Sequence, residues 1–135
     1  MSAQLKLLSK DQIIAVSDVI FETVEVSEWG GSVRVRGLTG TERDAFEDSV
    51  LQGKGKNRDI NLTNFRAKLV ARSMVDEEGN RLFSDQEAGL LGKKSAAALQ
   101  RVFDVAKRLS GMSDEDVEEL TKNSESDQSD GSTSV

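Results

Sequence analysis

Cysteine, histidine, tyrosine and proline are all missing from these 135 residues, and each absence removes possibilities. Without cysteine there is neither a disulfide framework nor a thiolate metal site. Without histidine or tyrosine, catalysis would fall to carboxylates, lysine and hydroxyls, lacking the side chain that titrates most readily near neutral pH. The expectation is a protein that is not an enzyme and holds no cofactor and no metal. Aromatic residues make up only 4%, so the core must rest on Leu, Val, Ile and Ala with a few Phe, which predicts modest stability. No apolar run approaches membrane-spanning length, and the start "MSAQLKLLSK" is too short in apolar residues for a signal peptide. A soluble intracellular protein with no membrane partner is expected.

What is present is charge, unevenly placed. From Ser113 to Val135 there are eight acidic residues and one lysine, whereas residues 1–112 carry sixteen acids and seventeen bases. A nearly neutral body thus carries an acidic tail. The 36% hydrophobic content suits one compact domain over residues 1–122. Residues 123–135, "NSESDQSDGSTSV", hold no apolar residue before the final valine and are expected to be disordered.

With proline absent, capping boxes and glycines supply the punctuation. Ser9 with Gln12, Thr39 with Glu42, Ser84 with Glu87, and Ser113 with Asp116 each have the spacing of such a box, and each predicts a helix start. Leu8 and Ile13 are placed to form a hydrophobic staple across the first. "FETVEV" and "SVRVRGL" alternate as strands do, with "SEWGG" between them as a hairpin tip whose glycines can supply positive φ. The register of the first strand is ambiguous, because Val24 and Val26 face away from Phe21. After Thr39, Phe46, Val50 and Ala45 form an apolar stripe that Gly53 stops. Asn61 is expected to cap a helix bearing Leu62, Phe65, Leu69 and Val70. Leu82 and Phe83 re-enter the core. The longest helix, within "KKSAAALQRVFDVAKRLSG", places Leu99, Val102, Phe103, Ala106 and Leu109 on one face. The fold class is therefore α+β, a small β-hairpin unit packed against several short helices, with a helix-dominated C-terminal half.

Motifs that could carry chemistry fare poorly. "GKGKNR", Gly53 to Arg58, lacks the longer glycine spacing and following hydroxyl of a phosphate loop, and reads as a solvated loop. Lys54, Lys56, Arg58, Arg66, Lys68 and Arg72 form a basic stretch, but no stacking aromatic interleaves with it, so no nucleic acid is expected. "DEEGN" and "SDEDVEE" do not follow the alternating ligand pattern of a calcium loop. Trp29, the single tryptophan, can either cap one end of the core or stand exposed as an anchor for a partner.

In order and spacing, "EWGGSVRVRGLTGTERDAFE", "ARSMVDEEGNRLFS" and "LGKKSAAALQRVFDVAKRLSGMSDEDVEELTKN" resemble the tail assembly chaperones of long-tailed, siphovirus-type bacteriophages. The likeness runs from about Trp29 to Asn123. It implies a role in virion morphogenesis rather than chemistry. Such proteins bind the tape measure protein, keep it soluble while the tail tube polymerises around it, and are not retained in the virion. They act in the host cell cytoplasm. In many such phages a ribosomal frameshift also makes a longer form. The resemblance implies the tape measure protein as partner, with the tail tube protein and self-association as further contacts. The residues assigned to partner binding are Trp29, Arg34 and Arg36, and the acidic tail would keep a coated complex self-repelling. Two other classes fit the residues: a structural tail or head–tail connector component, and a nucleic-acid-binding protein using the 54–72 basic stretch.

Overall fold

A computed structural model describes residues 5–52 and 59–122. The glycine–lysine segment 53–58 and the acidic tail from 123 lie outside the described residues. Helix α1 (Lys10–Ala15) leads to a hairpin of β1 (Phe21–Val26) and β2 (Gly31–Arg36), followed by α2 (Gly40–Val50). Two short strands, β3 (Leu51–Gln52) and β4 (Asp59–Ile60), pair antiparallel across the undescribed segment. Then come α3 (Phe65–Ser73), β5 (Met74–Val75), α4 (Ala88–Leu91) and α5 (Ala96–Leu109), and a last helix, α6, over 114–122. The main sheet is antiparallel in the order β1-β2-β5, so the architecture is α+β as expected.

All four capping boxes form. Ser9, Thr39, Ser84 and Ser113 each exchange bonds with the residue three positions on, which satisfies amides that helix starts leave without partners. Gly30 closes the hairpin tip with φ +80° after the turn Ser27–Trp29. This is a left-handed geometry that a Cβ would penalise. At the far end of α5, Gly111 N donates to the Arg108 carbonyl and Met112 N to the Lys107 carbonyl, the paired bonds of a Schellman ending.

The strand register resolves in favour of the valines. Val24 and Val33 pair across the hairpin, as do Glu22 and Val35, and Val24, Val26 and Val35 are buried. Phe21 falls on the outer face, where the Arg34 guanidinium lies 4.1 Å over its ring. Helix α5 packs on the inner face of this hairpin and on α3, burying Ala98, Leu99, Val102, Phe103 and Ala106. Helix α3 is buried along most of its length through Phe65, Ala67, Leu69, Val70 and Ala71. The buried Ser73 hydroxyl donates to the Leu69 carbonyl at 3.0 Å. Phe65 joins the layers, with ring centroids 5.5 Å from Phe46 and 5.9 Å from Phe103. Tilted pairs of this kind are worth about 0.5–1.5 kcal/mol each beyond their area.

Three expectations are corrected. Asn61 does not cap α3: its Oδ1 accepts from Thr63 N, a local turn, and Asn64 at φ 58° occupies the cap position instead. That turn delays the helix to Phe65 and leaves Leu62 about half exposed. Ala45 lies on the solvent side of α2, which ends at Val50 rather than at Gly53. Leu82 does not enter the core but stays 48% exposed, while Phe83 packs partly against it.

Gly37 marks a close approach of two backbones. A Cβ built there would collide with the Leu109 backbone carbonyl. Next to it, Leu38 N donates to the buried Ser110 hydroxyl at 2.9 Å. The exit of β2 and the end of α5 are therefore seated on each other with no room for a side chain.

Candidate interaction surface

The turn that closes the hairpin carries Glu28 and Trp29, and the two side chains have different tasks. Arg101 on α5 donates to both Glu28 oxygens, at 2.7 and 2.9 Å. About two helical turns on, a single Arg108 nitrogen, Nη2, donates to both oxygens of Glu22 on β1 at 3.0 and 2.9 Å. One bidentate fork, Arg101–Glu28, and one single-nitrogen pair, Arg108–Glu22, thus clamp the hairpin to α5. The hydrogen bond from Arg101 is the main reason that the Glu28 carboxyl is lowered from 4.5 to about 2. A carboxylate depressed in the folded state stabilises the fold fully above its unfolded value. That contribution is lost as pH falls from about 4.5 through about 2. In Arg101→Gln the Glu28 titration followed by NMR should move back up toward 4.5. A midpoint that stays near 2 would show that the fork is not its cause.

Trp29 packs partly against the core. Its indole Nε1 is buried yet meets no hydrogen-bond acceptor among the described residues, an arrangement that costs on the order of 1–3 kcal/mol. The ring forms one wall of an open groove of about 360 Å³ whose other walls are Val33, Met74, Leu82, Phe83 and Leu91, with Lys94 at its margin. Beyond Val33 and Leu82 the surface continues into a second hollow bordered by Asp76, Glu77 and Glu78. The groove is therefore apolar along its floor and acidic on the side of the 76–80 turn.

Trp29, Arg34 and Arg36 do not converge. Arg34 and Arg36 project from the outer face of β2, opposite the inner-face Val33 and Val35. Arg34 covers Phe21 and donates to the Glu77 carbonyl at 3.0 Å, which ties the 76–80 turn to the sheet. Arg36 donates to both oxygens of Glu42 at 3.0 and 3.1 Å. Burial opposes ionisation of Glu42, but the Thr39 amide and the Arg36 guanidinium outweigh it and its pKa is lowered. The acidic turn itself is structural: the Asp76 carboxylate accepts from the Glu78 and Asn80 amides, both at 2.9 Å.

The basic stretch is likewise occupied where it is described. Lys68 donates to the Ser49 carbonyl, Arg72 pairs with Asp85, and Arg66 lies over the Phe103 ring. Lys54, Lys56 and Arg58 lie outside the described residues. Sequence reading found Trp29 because it is unique. It placed Leu82 and Phe83 in the core and did not single out Met74 or Leu91, since nothing local says that segments so distant share a groove with Trp29.

A second apolar surface lies before the hairpin. Leu5 is 89% exposed and Leu7 96%, and Leu8, Ile13, Ile14, Val16 and Ile20 are each more than half exposed. Helix α1 buries no residue, so the Leu8–Ile13 staple leaves both partners largely in solvent. Among the described residues no helix is long and apolar enough to cross a membrane.

No curated protein and no solved structure gives a match. The family described as phage tail assembly chaperone matches residues 10–123, from the first residue of α1 to just past α6. The chain therefore belongs to the phage tail assembly chaperones.

Proposed function

We propose that this chaperone binds the tape measure protein and keeps it soluble while the tail tube assembles, acting in the host cytoplasm without chemistry of its own. The observation that carries this reading is the Trp29 groove, an open apolar trough with a buried, unpaired donor in its wall. Binding sites are typically concave and lined mostly by apolar side chains with a few polar groups. A long tape measure protein exposes apolar helical stripes, and a helix stripe laid in a groove is a recurrent mode of peptide recognition. Trp29 is the anchor. Arg34 and Arg36 act by holding the sheet and the 76–80 turn in place around it.

Co-expression with the tape measure protein tests this. The full chain should carry it into the soluble fraction and co-purify with it. Leu82→Asp places a charge in the groove wall at a half-exposed position and should abolish co-purification while the melting curve stays unchanged. Undiminished co-purification by Leu82→Asp would move client binding to another surface.

A further inference from the structure

We propose that the Trp29 groove holds an amphipathic helix in one direction only, because uncommitted charges of opposite sign stand at its two ends. It therefore selects helices whose apolar stripe is basic at one end and acidic at the other. Where the groove is the client's site, which rests on the reading above, these charges decide which client helices are accepted and how they lie.

Three hollows adjoin. Val33 and Leu82 form the border between the Trp29 groove and the hollow of the 76–80 turn. Lys94 forms the border with a third hollow, of about 430 Å³, whose walls include Leu62, Phe65, Arg66, Leu99 and Gln100. The Trp29 groove thus lies between the other two. Leu82 and Leu62 are each 48% exposed, so apolar contact is offered both in the groove and past Lys94.

The charges along this run fall into two sets. Glu28, Arg34 and Asp76 line it but are committed: Glu28 to Arg101, Arg34 to the Phe21 ring and the Glu77 carbonyl, and Asp76 to two backbone amides. The carboxylates of Glu77 and Glu78 and the ammonium of Lys94 are different. All three residues are exposed, and their charged groups have no hydrogen bond or ion pair among the described residues. Arg66, also exposed, meets the Phe103 ring rather than a carboxylate. What the fold leaves unneutralised is therefore acidic at one end and basic at the other.

An exposed ion pair changes affinity by no more than roughly fivefold, so the apolar floor must supply the binding. Charges at the ends instead set direction and exclude wrong partners, since like charges brought together are penalised. A helix with a basic and an acidic end satisfies both ends of the trough in one direction and neither in the other. A helix with like charges at both ends meets repulsion whichever way it lies.

Four peptides of about twenty residues, roughly 30 Å long as helices, test the proposal. They share one leucine stripe and blocked termini, and carry paired Lys or Glu at each end: Lys–Glu, Glu–Lys, Lys–Lys and Glu–Glu. The wild-type chain should bind the two mixed peptides roughly three- to tenfold more tightly than the two like-ended ones. A spin label on the N-terminus of the Lys–Glu peptide should broaden the Glu77 and Glu78 amide resonances. The same label on the Glu–Lys peptide should broaden the Lys94 amide instead. Lys94→Glu should turn the preference toward Lys–Lys, and Glu77→Lys with Glu78→Lys should turn it toward Glu–Glu. All three substitutions together should restore the mixed peptides with their labelled ends exchanged, a recovery that damage to the fold would not show. Comparing each peptide with itself across the proteins cancels differences in its own helicity. Added salt should shrink every preference.

Equal affinities for the four peptides would overturn the proposal. So would a ranking that Lys94→Glu leaves unchanged, a label that broadens both ends alike, or no binding by any peptide. Those outcomes leave the client reading to its own test, the loss of tape measure co-purification in Leu82→Asp, which does not depend on direction. Peptides that rank as expected while Leu82→Asp still co-purifies the client would uphold the charge order and count only against the client reading.

Discussion

Phe103→Ala should cost about 3–5 kcal/mol, the range for truncating a buried phenylalanine. The ring is 4% exposed on the inner face of α5, against Phe65, which in turn meets Phe46. The lost contacts therefore reach α3 and α2 as well as α5 itself. A domain of this size holds only about 5–15 kcal/mol in all. The melting temperature should fall by roughly 10–25 °C, or the variant should express insolubly. Phe21→Ala is the control, because that ring lies on the outer face under the Arg34 guanidinium and should cost no more than about 1 kcal/mol. If the two variants melt alike, Phe103 does not hold the helices together.

The second large effect is expected at Gly37. Alanine there places a Cβ against the Leu109 carbonyl, and neither backbone can yield without disturbing the Leu38–Ser110 bond beside it. Overpacking of this sort costs about 1–3 kcal/mol. Because the obstacle is main chain rather than a side chain with other rotamers, the upper end is expected. Urea denaturation should show a lower midpoint at an unchanged slope. Gly31→Ala, with nothing within 4 Å of the new atom, should unfold within about 0.5 kcal/mol of wild type. Equal midpoints for the two variants would mean that α5 does not seat on Gly37 in solution.

Local chemistry was readable from the residues, and distant pairing was not. The four capping boxes and the stripe Leu99–Val102–Phe103–Ala106 depend only on neighbours three or four positions apart, so the sequence pattern states them directly. Strand β5 escaped because Met74–Val75 runs straight on from α3 and is too short to show alternation. The exposed segment before the hairpin illustrates a different limit. Its apolar residues were visible, but periodicity says which residues seek cover, not whether the same chain provides it. At the groove, Trp29 was conspicuous as the single tryptophan, while its opposite walls come from positions 74–91. The partners of Arg101 and Arg108, 73 and 86 residues away, could not be assigned from charge alone.

Those long spans also shape how the chain is made. The hairpin can pair as soon as Arg36 has been synthesised, but its inner valines are covered by α5, which is complete only at Leu109. At about 5–20 residues per second, a ribosome needs roughly 4–15 s to add the intervening stretch. For that interval the nascent chain displays an uncovered sheet face as well as the apolar segment before the hairpin. A break in translation before Leu109 therefore leaves a fragment with both apolar surfaces uncovered.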